Sequence, residues 1–110
     1  MLTIDTQKEN GHDILLLSGE VDASNSVILD EAITKLVTDG SKAILVDASG
    51  LDYISSAGLG VFMSYLEDFQ EKGIKLKIHS LSERVFEVFK ILGLDQLMHI
   101  YPDKKSALLS

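Results

Sequence analysis

Apolar and polar positions alternate at the start of the chain, where Leu2, Ile4 and Thr6 are interleaved with Thr3, Asp5 and Gln7. A second apolar run, Ile14-Leu15-Leu16-Leu17, follows the polar break Glu9-Asn10-Gly11-His12. Asn-Gly between two such runs is a strong hairpin signal, so the two segments are expected to pair antiparallel. After Gly19-Glu20-Val21-Asp22 the period changes. Val27, Ile28, Ala32, Ile33, Leu36 and Val37 recur at helical spacing, which predicts a helix from about Asn25 to Thr38, capped by Ser24 and closed near Gly40. Ala43-Ile44-Leu45-Val46 then reads as a short central strand.

The pattern repeats downstream. Leu59, Phe62, Met63, Leu66 and Phe69 form one helical stripe ending before Gly73, and Ile74 to Ile78 alternates as a strand that places Lys75 and Lys77 on a solvated face or at an edge. A third helix begins near Ser82, buries Val85, Val88, Phe89 and Leu92, and closes at Gly93. Leu97 to Ile100 is a candidate last strand, and Pro102-Asp103 opens a final turn or two of helix carrying Ala107 and Leu108. The fold class is therefore α/β: a mixed central sheet of four to five strands with an N-terminal antiparallel hairpin, and about four helices, the crossover helices packed on one face. The segments around Asp22 and from Asp47 to Ser56 are expected as loops at the carboxyl-end edge of the sheet, where sites gather in open α/β folds.

The length of 110 residues fits one domain, 1–110, with one core. A formal charge of −7 with no basic block argues against nucleic acid as a partner. No run approaches the ~18 apolar residues of a membrane span, so no membrane association is expected and a cytoplasmic location is the default. With no cysteine, thiol nucleophiles and thiolate metal sites are excluded.

The candidate chemistry lies in Ser55-Ser56-Ala57-Gly58-Leu59-Gly60, where an apolar strand gives way to a helix. Free backbone N–H groups and the positive dipole end would stabilise a phosphate there, making Ser56 a candidate phosphorylation site. Ser56 also fits a helix cap, and the two roles are compatible. A hydrolase nucleophile elbow needs Gly-x-Ser-x-Gly, and Ile54 stands where the first glycine belongs. Gly58-Leu59-Gly60 lacks the further residues of a nucleotide loop. Asp22, Asp47 and Asp52 invite a Mg²⁺ site, although aspartates in loops more commonly form turns. For His12, His79 and His99, packing or surface roles are expected. No cofactor is expected.

The run from Ile44 to Phe62, with Asp47-Ala48-Ser49-Gly50-Leu51-Asp52-Tyr53-Ile54 leading into Ser55-Ser56-Ala57-Gly58-Leu59-Gly60, resembles the signature of the STAS domain as found in bacterial anti-sigma factor antagonists. Leu17-Ser18-Gly19-Glu20-Val21-Asp22 is similar to the family's Gly-Glu-Leu-Asp turn, and Val85 to Leu94 with Ala107-Leu108 is similar to its last two helices. The similarity spans essentially the whole chain, as for an isolated domain rather than one appended to a transporter. The family's phosphosite reads Asp-Ser-Ser/Thr-Gly-Leu-Gly; the phosphoacceptor then falls on Ser56, with Ser55 in place of the aspartate and Ala57 in place of the second hydroxyl residue. Ser55 is itself a second possible acceptor.

What the resemblance implies is a partner switch without catalysis by this chain. Unphosphorylated, it would bind an anti-sigma factor with serine kinase activity; phosphorylation of Ser56 would release it, and a phosphatase of the PP2C type would restore it. ATP and Mg²⁺ would belong to the kinase. Asp22, Ser24, Ser55, Ala57, Gly58 and Leu59 are the partner-binding residues so implied. A monomer is expected, with weak dimerisation possible through an edge strand. The alternative is a STAS scaffold module that is never phosphorylated, in a transport assembly or a regulatory output without a sigma factor.

Overall fold

The computed structural model describes residues 1–110. In chain order the elements are β1 (Leu2–Glu9), β2 (His12–Val21), α1 (Ser26–Thr38), β3 (Ala43–Ile54), α2 (Ser56–Lys72), β4 (Lys75–His79), α3 (Glu83–Ile91), a 3₁₀ turn (Leu94–Gln96), β5 (His99–Tyr101) and α4 (Lys104–Leu109). One five-stranded sheet runs β1-β2-β3-β4-β5. β1 is antiparallel to β2, from Leu2 opposite Gly19 to Glu9 opposite His12, and every later pair is parallel. The hairpin turns where expected. Asn10 and Gly11, at φ 50° and 77°, both take the left-handed conformation that Asn-Gly favours.

Side chains alternate across a strand, so the sheet has two distinct faces. On the front, Leu15, Leu17, Ile44, Val46 and Ile78 join Leu29 and Ile33 of α1, Leu59, Phe62 and Phe69 of α2, and Val85 and Phe89 of α3 in a core of 20 buried residues. The crossover helices share one face, as the sequence pattern anticipates. The back carries α4 alone, over a cluster of Ile14, Leu45 and Ala107.

Five sequence expectations change. The third strand runs on to Ile54 instead of ending at Val46, because Ala48, Leu51 and Ile54 are buried and this half pairs with β2 through two register irregularities. Asp47 and Asp52 are therefore strand residues. Ser24 does not cap α1: Asn25 precedes the helix and makes no side-chain cap bond, its Oδ1 accepting from the Asp22 amide at 2.9 Å and its Nδ2 donating to the Glu20 carbonyl at 3.0 Å.

Val27 and Ile28 stand on the surface of α1, and Leu29 is the buried residue of that turn. Met63 and Leu92 are likewise about half exposed. The apolar set of α1 is wider than one helical face and cannot all reach the core, and Leu92 lies just past the last residue of α3. Finally, Lys77 is only 4% exposed, and β4 is not an edge because β5 flanks it. The Lys77 ammonium donates to the carbonyls of Ala107 at 2.9 Å and Ser110 at 3.1 Å, and lies 3.2 Å from His12 Nε2. Alternation put Lys77 on the correct face; α4 then covered it.

Candidate functional site

The chain passes from β3 to α2 without a loop. Ser55 is extended, at φ −87° and ψ 172°, and its amide donates to the Val21 carbonyl at 2.8 Å, tying the turn to the end of β2. Its Oγ accepts from the Gly58 amide at 3.3 Å, and its carbonyl accepts from Leu59 at 3.0 Å, the first intrahelical bond. The cap is therefore Ser55, not Ser56.

Ser56 becomes the first helical residue, and it is exposed. The Ser56 and Ala57 amides precede the first intrahelical bond, so they are the free donors of a helix start. Gly58 fixes the position of this turn. A Cβ there would come within 2.6 Å of Val21 Cγ1 and 2.7 Å of Ile54 Cγ1, so only glycine lets the helix settle onto the ends of β2 and β3. Leu59 behind it is wholly buried. The core thus holds the turn from below and leaves the Ser56 hydroxyl outside.

Beside this turn lies the loop after β2. Asp22 Oδ1 accepts from Ser24 twice, from Oγ at 2.6 Å and from the amide at 2.9 Å, while the Asp22 carbonyl accepts from Ser26 at 2.9 Å. The Ser24 hydroxyl, then the Ser24 amide, hold the Asp22 carboxyl below its ordinary pKa. A fixed negative charge results, one residue past the Val21 carbonyl that anchors Ser55. Asp22, Ser24, Ser55 and Ser56 are thereby brought to one end of the sheet, as the sequence suggested.

Other candidates lie elsewhere. Asp47 on β3 accepts from Ser49 through both the amide at 2.9 Å and Oγ at 2.7 Å, and Asp52 is exposed on the same strand. No three of the histidine and acidic side chains converge as metal ligands. His79 is 2% exposed; its Nδ1 lies 2.7 Å from Ser80 Oγ, and its Nε2 lies 4.0 Å from Asp47 Oδ2 with no hydrogen-bond partner. Burial lowers the His79 pKa more than Asp47 raises it. The imidazole pairs with Ser80 and only faces Asp47.

Sequence reasoning missed several exposed apolar side chains on α1 and β3. Val27 and Ile28, in the helical turn after the Asp22 loop, and Tyr53, two residues before the cap, are all exposed. The seven apolar positions of α1, Leu29 among them, were the available signal, since they exceed what one face can bury.

The STAS domain family profile matches residues 3–107. An anti-sigma-B factor antagonist from Staphylococcus aureus is 31% identical over 99 residues, covering 90% of this chain and 92% of that protein. Among solved structures, an anti-sigma factor antagonist from Mycobacterium paratuberculosis superposes with a TM-score of 0.87 at 23% identity, covering 99% of this chain and 92% of the other. The Bacillus cell fate determinant SpoIIAA, solved in its phosphorylated form, superposes with a TM-score of 0.70 at 16% identity, covering 97% of this chain and 96% of the other.

Proposed function

The chain belongs to the STAS domain family, and on that premise we propose that it is an anti-sigma factor antagonist controlled by phosphorylation of Ser56. In this reading the unphosphorylated protein binds an anti-sigma factor that is also a serine kinase. The kinase transfers the γ-phosphoryl group of its Mg-ATP to Ser56 Oγ: the new P–O bond forms there, the bond to ADP breaks, and the hydroxyl proton leaves to the kinase. Release follows, and a phosphatase of the PP2C type returns the hydroxyl. The chain acts as ligand and substrate in the cytoplasm and has no catalytic residue of its own.

The single observation that carries this reading is the division of labour between the two serines: Ser55 is spent on the cap, and Ser56 is displayed beside free helix-start amides. A phosphoserine adds about −1.5 to −2 charges at pH 7, and those amides with the dipole end can receive it, so the fold survives. A partner surface shaped for a neutral hydroxyl cannot receive it. Burying an unpaired anion costs several kcal/mol, and each ~1.4 kcal/mol is tenfold in affinity. Asp22 and Ser24 present a fixed carboxylate and a hydroxyl at the same end of the sheet as the acceptor, where they orient the kinase, and Ala57 lies on the rim. Gly58 and Leu59 are buried and act through the shape of the turn.

The test is incubation of the full chain with each anti-sigma factor kinase of its own organism and Mg-ATP, followed by intact mass and site mapping. One phosphoryl group on Ser56, and none on the Ser56→Ala variant, is the expected result. Modification at Ser55, or an unmodified chain with every kinase, would reject it.

A further inference from the structure

Seven of the eight glycines answer to the fold. Gly11, Gly19, Gly40, Gly73 and Gly93 have positive φ, and at Gly50 and Gly58 a Cβ would meet neighbouring atoms at 2.9 Å and 2.6 Å. Gly60 is the exception. It lies inside α2 with no positive φ, it is exposed, and a Cβ built on it meets nothing within 4 Å. Glycine is the poorest helix former after proline, so this residue weakens α2 and gains nothing inside the molecule.

Its position supplies the reason. Residue 60 is one helical turn on from Ser56 and shares its face. Helical Cα–Cβ bonds tilt toward the N-terminus, so a side chain at 60 would lean over the turn that carries Ser56. We propose, resting on Ser56 as the phosphoacceptor, that Gly60 is an access determinant: the bare backbone there lets the kinase close down on α2 beside the hydroxyl, and any side chain holds it off. The partner surface implied is one that packs directly against helix backbone.

Gly60→Ala and Gly60→Gln separate this role from a structural one, because a glycine needed by the fold and a glycine needed by a partner respond in opposite directions. Both variants and the parent are melted, then incubated with the anti-sigma factor kinases of the organism and Mg-ATP, with Gln70→Ala at the far end of α2 as the control. The Gly60→Ala melting temperature is expected to rise by about 4 °C. The initial rate of Ser56 phosphorylation is expected to fall about tenfold for alanine and further for glutamine, with the control at the parental rate. A lowered melting temperature for Gly60→Ala, or parental rates in both variants, overturns the role given to Gly60 and leaves the Ser56 switch standing. A parent chain that no kinase modifies overturns both.

Discussion

The two faces of the sheet are held by different physics. On the front, three helices bury an apolar core of 20 residues; on the back, a six-residue helix sets Ala107 over two buried strand residues and is pinned by a buried lysine. The Ser56 turn belongs to the front. Gly58 seats it on Val21 and Ile54, and Leu59 anchors it in the core, so the larger of the two cores stands under an exposed hydroxyl. A modification there meets a rigid support. The same event on the back would act on a helix with little apolar burial to hold it.

Removing a front-core side chain should have the largest effect. Phe62 is fully buried, with its ring centroid 6.3 Å from that of Phe89, and Phe62→Ala is expected to cost about 3–5 kcal/mol in a urea titration. A loss below about 1 kcal/mol would remove the contrast between the faces. On the back, Lys77→Met keeps most of the stem and strips the donors from two carbonyls. A loss of about 1–3 kcal/mol is expected. Hydrogen exchange should place the change first in α4, and equal acceleration throughout the sheet would contradict it.

Acid sharpens the same comparison. The buried, neutral His79 has a folded pKa below its ordinary value of about 6.5, so the unfolded chain binds the proton more readily. Its contribution is complete above that pH and declines as pH falls from there through the folded value. Urea titrations at pH 7.5 and 5.5 should show the parent losing stability and His79→Phe losing less; identical losses would assign the effect elsewhere. Asp22 and Asp103 have lowered pKa values, so their contributions hold above about 3.8 and fade only below it, outside that window.

The smallest effect separates the adjacent serines. Ser55→Ala should cost about 1 kcal/mol as a lost cap, whereas Ser56→Ala should stay within ~0.5 kcal/mol. The reverse order would move the cap to Ser56.

The front face was legible because its strands are apolar runs and its helices carry a period: Leu15 and Leu17 lie in one run, Phe62 and Phe69 on one helix, Val85 and Phe89 on another. What was not legible depended on partners distant in sequence. Lys77 alternates like a solvated residue, and only the arrival of Ala107 and Ser110 buries it. Asp47-Ala48-Ser49-Gly50 has the composition of a loop, yet β2 runs on to Val21 and draws it into the sheet. Asp47 and His79 are neighbours through strand register alone. At the site, serine propensity suggests a cap at 56, and the bond from the Gly58 amide to Ser55 Oγ, with Ser55 held extended by the Val21 carbonyl, moves it to 55.

The most direct measurement pairs affinity with structure. The anti-sigma factor is titrated against the parent and against protein stoichiometrically phosphorylated at Ser56, with amide NMR spectra of both forms. Affinity should fall roughly a hundredfold or more, with shift changes confined to the start of α2 and the Asp22 loop. Undiminished binding, or a loss accompanied by shifts throughout the front core, would contradict a switch that acts by excluding the partner while leaving the fold intact.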